Sequence, residues 1–123
     1  MESRKNDGRQ QAGGNGSARV LIAEDEPTSG ELLAQLVEAL GYETQTVADG
    51  AAAWEVAESA PRDLILSDVS MPKMDGFELC RLLKGSPKTR LIPVILITGI
   101  GEEHKQAGIE AGADDFLSKP FSL

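Results

Sequence analysis

Five side chains that could do chemistry together stand just beyond apolar segments of this chain: carboxylates at Glu24, Asp25 and Asp68, a hydroxyl at Thr98 and an ammonium at Lys119. If those segments are strands of one open α/β sheet, their ends share an edge, and such sheets bind ligands beyond the carboxyl ends of their strands. Three carboxylates cannot crowd together at no cost. Two unit charges ~4 Å apart repel by about 4 kcal/mol at an effective dielectric near 20. They take up protons or bind a cation. An all-oxygen donor set without His or Cys favours a hard ion, and Mg²⁺ is the cellular default. Mg²⁺ keeps several waters and pairs a few carboxylates with a substrate phosphate, so the cluster points to phosphate chemistry. An aspartate there can act as nucleophile and form an aspartyl-phosphate. Lys119 would neutralise phosphoryl oxygens, Thr98 would donate a hydrogen bond to one, and the small Gly99 leaves room for the group. Each residue also has a plain reading: Glu24 and Asp25 suit a helix start, Thr98 a strand end, Lys119 a surface. The weight lies on the set.

The elements that must position these residues alternate in period. Val20–Ala23, Leu64–Leu66 and Pro93–Ile97 are short apolar runs, as strands buried on both faces require. Tyr42–Val47 alternates as a strand, and Phe116–Leu117 makes a last short one. Between them, Leu32, Leu33, Leu36, Val37 and Leu40 recur at helical spacing and Gly41 supplies a stop. Glu26 and Pro27 suit the start of that helix rather than a metal site. Asp49 or Gly50 opens an Ala-rich helix running to about Ser59, and Asp75–Lys84 carries Phe77, Cys80 and Leu83 on one stripe. Residues 102–111 read as a poor helix, weakened by Gly108 and short of large apolar residues. Alternating strands and helices mean a parallel sheet covered on both faces by right-handed crossovers.

Composition narrows the function classes. With 123 residues, 41% of them hydrophobic, the chain fits one domain with a real core. No apolar run approaches the ~20 residues of a membrane helix. The start, MESRKNDGRQQ, has no apolar h-region, so no secretory signal is expected and a cytoplasmic location is. Cys80, the single cysteine, forms no internal disulfide and is expected in the core. A net charge of −8 argues against this segment gripping nucleic acid by itself. Residues 1–17 are polar and Gly-rich and read as a disordered leader; 18–123 form the domain. The sequence stops at Leu123, where a last helix should begin. Its lack predicts an exposed apolar patch, or coverage of that patch by a second copy in a homodimer.

IAEDEP (22–27), LILSDVSMPKMDGFELCRLLK (64–84), PVILITG (93–99) and GADDFLSKPF (112–121) together resemble the receiver domains of bacterial two-component response regulators, over residues 19–121. The resemblance implies a flavodoxin-like, doubly wound sheet in the order 2-1-3-4-5. It implies that Asp68 is the phosphoacceptor, that Asp25 is a direct Mg²⁺ ligand, and that Glu24 completes the acidic pocket. The backbone carbonyl of Ser70 would be the remaining protein ligand. The family usually has Asp where Glu24 stands, and Glu reaches about one methylene further. Lys119-Pro120 matches a Lys-Pro pair whose bond is typically cis. Thr98 and Phe116 would be the switch: the hydroxyl moves toward the phosphoryl group and the ring turns inward. Implied partners are a sensor histidine kinase or phosphotransfer protein, and an output domain or effector. The domain would catalyse only its own phosphorylation and dephosphorylation.

Two other functions use related residues. An aspartate-nucleophile phosphohydrolase would place a second acid where Ser70 stands and would carry a cap insertion over its substrate. A receiver-like scaffold that is never phosphorylated would have lost an acid, the Thr or the Lys, and none is lost here. His104, the only histidine, reads as an exposed helix residue, Asp114 and Asp115 as solvated turn acids, and Trp54 as a packing residue without function.

Overall fold

The computed structural model describes residues 17–99 and 102–119, the side chains of Glu102 and Glu103 aside. Residues 1–16, the Lys119–Pro120 bond and positions 120–123 lie outside that range, with the expectations that fall on them. In chain order the elements are β1 (Arg19–Ala23), α1 (Pro27–Ala39), β2 (Glu43–Val47), α2 (Gly50–Ser59), β3 (Leu64–Asp68), α3 (Gly76–Gly85), β4 (Val94–Thr98), α4 (Glu102–Ala111) and β5 (Asp115–Ser118). All strand pairs are parallel, in the order β2-β1-β3-β4-β5. The expected fold class is the observed one, with element ends shifted by a residue or two.

Period-two side-chain direction divides the core between two faces. Leu21, Ile65 and Leu96 point to the face covered by α2, α3 and α4, where they meet Ala53, Ala57, Leu79, Cys80 and Leu83. Val20, Ile22, Leu66 and Ile97 point the other way and meet Leu33 and Val37 of α1. On that second face Ile95 is half-buried and Leu117, paired with Ile97, is 42% exposed. Cys80 is buried with its thiol pushed up to about 11, chiefly by desolvation, so it is inert packing.

Local chemistry explains the helix starts. Glu26 accepts from Ser29 N at 2.7 Å with Pro27 in the first turn, and Asp49 accepts from Ala52 N at 2.8 Å. Asp75 and Glu78 form a reciprocal capping box on α3. Gly41, at φ 98°, takes the left-handed turn after α1. Gly76 has another role. A Cβ there would collide with the carbonyl oxygen of Asp68 and lie 3.0 Å from Val69 Cα. Only a glycine lets α3 start against the end of β3, and Gly76 N donates to Val69 O at 2.9 Å in that approach. Gly76→Ala should therefore lower the thermal midpoint, with a loss of about 1–3 kcal/mol from overpacking. An unchanged midpoint by calorimetry would mean the junction is loose.

Candidate phosphoryl and metal site

The carboxyl ends of four strands deliver the reactive groups. Ala23 pairs with Ser67, so the residues that follow, Glu24 and Asp68, stand level at the ends of β1 and β3. Thr98 ends β4 and pairs with Ser118, and Lys119 N donates to Thr98 O at 3.0 Å. Glu24, Asp68 and Thr98 are 3%, 6% and 9% exposed, whereas Asp25 opens to solvent. Lys119 reaches in from β5. Its Nζ lies 3.1 Å from Asp68 Oδ2 and 3.3 Å from Glu24 Oε1.

That ammonium does not satisfy the cluster. Glu24 Oε2 accepts from Glu26 N at 3.1 Å. Glu24 Oε1 is buried and makes no hydrogen bond, because the Lys119 contact has ion-pair distance without the alignment. Desolvation by burial raises the Glu24 pKa, the Asp68 charge adds to this, and the Glu26 N–H and Lys119 oppose it. At Lys119 burial works against the charged form, but Asp68 and Glu24 outweigh it and its pKa is raised. One carboxylate oxygen from each of Glu24, Asp25 and Asp68 lies within 4.8 Å of the others. Three carboxylates thus face one ammonium, with an orphaned buried oxygen among them. This donor set could hold a metal ion.

Asp68, Ser70, Thr98, Gly99, His104 and Lys119 line a concavity directly over the cluster. A groove beside it is lined by Asp25, Ser70, Met71, Pro72, Phe77 and His104. Every residue expected at the site from the sequence except Phe116 borders the cluster or one of these two hollows. Phe116 sits one element away, half-buried against the core face under α4.

A model of the response regulator receiver domain matches residues 20–123. The chain belongs to the response regulator receiver family. The receiver is 47% identical over 106 residues to the response regulator PleD of Caulobacter vibrioides, covering 85% of this chain and 23% of PleD. It spans less than half the length of the curated relatives it matches most strongly. Among solved structures it is similar to the chemotaxis response regulator CheY4 of Vibrio cholerae, with TM-score 0.82 and 34% identity over 86% of this chain and 89% of that one. It is also similar to the receiver domain of the sensor histidine kinase PA1611 of Pseudomonas aeruginosa, solved with magnesium in its active-site cleft. That likeness has TM-score 0.81 and 31% identity over 86% of this chain and 88% of the other. The receiver is accordingly a signalling domain of two-component systems.

Three readings from the sequence need correction or completion. His104 is half-buried rather than exposed, and it borders both hollows. Asp114 is the exposed turn acid expected but not an idle one: it accepts from Lys84 Nζ at 2.7 Å and from Val94 N at 2.8 Å, tying α3 and β4 to the start of β5. Burial works against its charge, and these two donors still hold its pKa below the ordinary carboxylate value. Gly108 is more than a weak spot in α4. A Cβ there would run into the Phe116 ring, at 2.9 Å from Cζ, so its absence makes the seat for that ring.

The raised Glu24 pKa sets a sign for pH. Between its ordinary value of 4.5 and the raised one, the folded state holds more protons than the unfolded chain. The stability of metal-free protein should therefore fall as pH rises through that window. Glu24→Gln should flatten this fall and melt higher than the parent at pH 7. Parallel melting curves for the two proteins across that range would refute the assignment.

Proposed function

We propose that the receiver accepts a phosphoryl group on Asp68 from the phosphohistidine of a sensor kinase or phosphotransfer protein, and that the change is read by an output domain or effector in the cytoplasm. The observation that carries this reading is the Lys119 ammonium held 3.1 Å from a buried Asp68, beside a Glu24 oxygen without a hydrogen bond. Asp25, Asp68 and the Ser70 backbone carbonyl would hold Mg²⁺, with Glu24 completing the acidic wall. Bound there, Mg²⁺ would neutralise carboxylate charge and screen the incoming phosphoryl oxygens.

The chain's own groups then divide the work. An Asp68 carboxylate oxygen attacks phosphorus, the phosphorus–nitrogen bond of the donor breaks, and its electron pair returns to the imidazole. Lys119 shifts its attraction from the carboxylate to the phosphoryl oxygens, and the Thr98 hydroxyl donates to another. Catalysis is mostly positioning and charge stabilisation, as in phosphoryl transfer generally. Hydrolysis reverses the outcome: water attacks phosphorus and the acyl oxygen leaves as the Asp68 carboxylate. Movement of Thr98 toward the group, with the Phe116 ring turning from its seat at Gly108 into the space vacated, would transmit the change to α4 and β5. The half-exposed Leu117 and Ile95 on the α1 face offer a surface where an output segment or second copy could dock. A net charge of −8 argues against direct nucleic-acid binding by this segment.

Incubation with acetyl phosphate and millimolar Mg²⁺ should add a single phosphoryl group by intact mass. Asp68→Asn, or a chelator, should abolish it. Labelling that survives Asp68→Asn, or a wild-type chain that takes none, would overturn the reading.

A further inference from the structure

His104 lies in the first turn of α4. It borders the concavity over Asp68 together with Ser70, Thr98 and Lys119, and it also borders the neighbouring groove that contains Asp25 and Phe77. Phe77 of α3 backs its ring, with centroids 6.0 Å apart and planes inclined at 42°. Its Nδ1 is buried and has no hydrogen-bond partner among the described residues. A buried nitrogen left unpaired carries a desolvation penalty that Phe or Leu at the same place would not. With the proton on Nδ1, an acceptor that enters the adjoining space would relieve that penalty. The groups already facing the pocket explain what kind of acceptor that is: Lys119 and Thr98 are donors suited to an oxyanion.

We infer that His104 donates a hydrogen bond to the phosphoryl group on Asp68, as a third holding group beside Lys119 and Thr98. The inference rests on the reading of Asp68 as phosphoacceptor. An imidazole carries at least one N–H in each of its forms, so a donor is available. The contact would also fasten the first turn of α4 to the loaded site. The helix that seats Phe116 at Gly108 is thereby linked to phosphorylation by a second route, independent of Thr98.

Beryllium fluoride with saturating Mg²⁺, a mimic of the phosphoryl group, tests this in the intact chain by equilibrium titration. His104→Phe keeps the wall and the packing on Phe77 but removes the donor. His104→Asn and His104→Gln put an amide N–H near the positions of Nδ1 and Nε2. The Phe variant should bind beryllium fluoride about tenfold more weakly. At least one amide variant should stay within about threefold of wild type, and Mg²⁺ affinity should be unchanged in all three. Wild-type binding by the Phe variant, or equal weakening in all three, overturns the donor role while leaving Asp68 as acceptor. Failure of the wild-type chain itself to bind the mimic overturns both, and that outcome is distinguished by the parent titration alone.

Discussion

Everything at the working end of this domain depends on one uneven charge balance. The Lys119 ammonium stands between two buried carboxylates that it cannot fully satisfy, with Asp25 adding a third negative group at the rim. Burial strengthens each of these interactions, because fewer waters screen them. It also makes the residual negative charge expensive, as the raised Glu24 pKa records. A site in this condition is poised to gain a cation and then an anion. The instability is local, and the rest of the sheet carries it.

The sheet does so through register. Parallel pairing sets Glu24 level with Asp68, and Thr98 beside Ser118, so a slip of one residue would turn a reactive side chain into the apolar core. The apolar residues of β1, β3 and β4 resist such a slip: Leu21, Ile22, Ile65, Leu96 and Ile97 are fully buried. Gly76 lets α3 begin against the Asp68 carbonyl, and the Lys84–Asp114 pair ties α3 to the start of β5. Asp68 and Lys119 are thus held by separate fastenings outside the site.

Much of this could be read from the sequence, for a physical reason. Strands buried on both faces are written as apolar runs, and where such a run ends in Asp, Thr or Lys the polar residue must lie at the sheet edge. The readable features were therefore β1, β3, β4 and the groups at their ends. Less could be read wherever a residue's role depends on a side chain distant in the chain. Gly108 looked like a helix weakness because the Phe116 ring it admits belongs to the next strand. His104 looked exposed because its neighbours, Phe77 and Ser70, arrive from the α3 side of the sheet. The role of Asp114, an exposed turn acid, was hidden because its partner Lys84 lies 30 residues earlier in the chain. Helical period gives no sign of any of these contacts.

The most direct test is the position of a bound ion. Crystals grown with Mn²⁺ should show an anomalous peak between the carboxylates of Asp25 and Asp68, with Lys119 Nζ still against Asp68. No peak at that place, or Asp25 and Asp68 turned to opposite sides of the sheet edge with Lys119 in bulk solvent, would contradict the account.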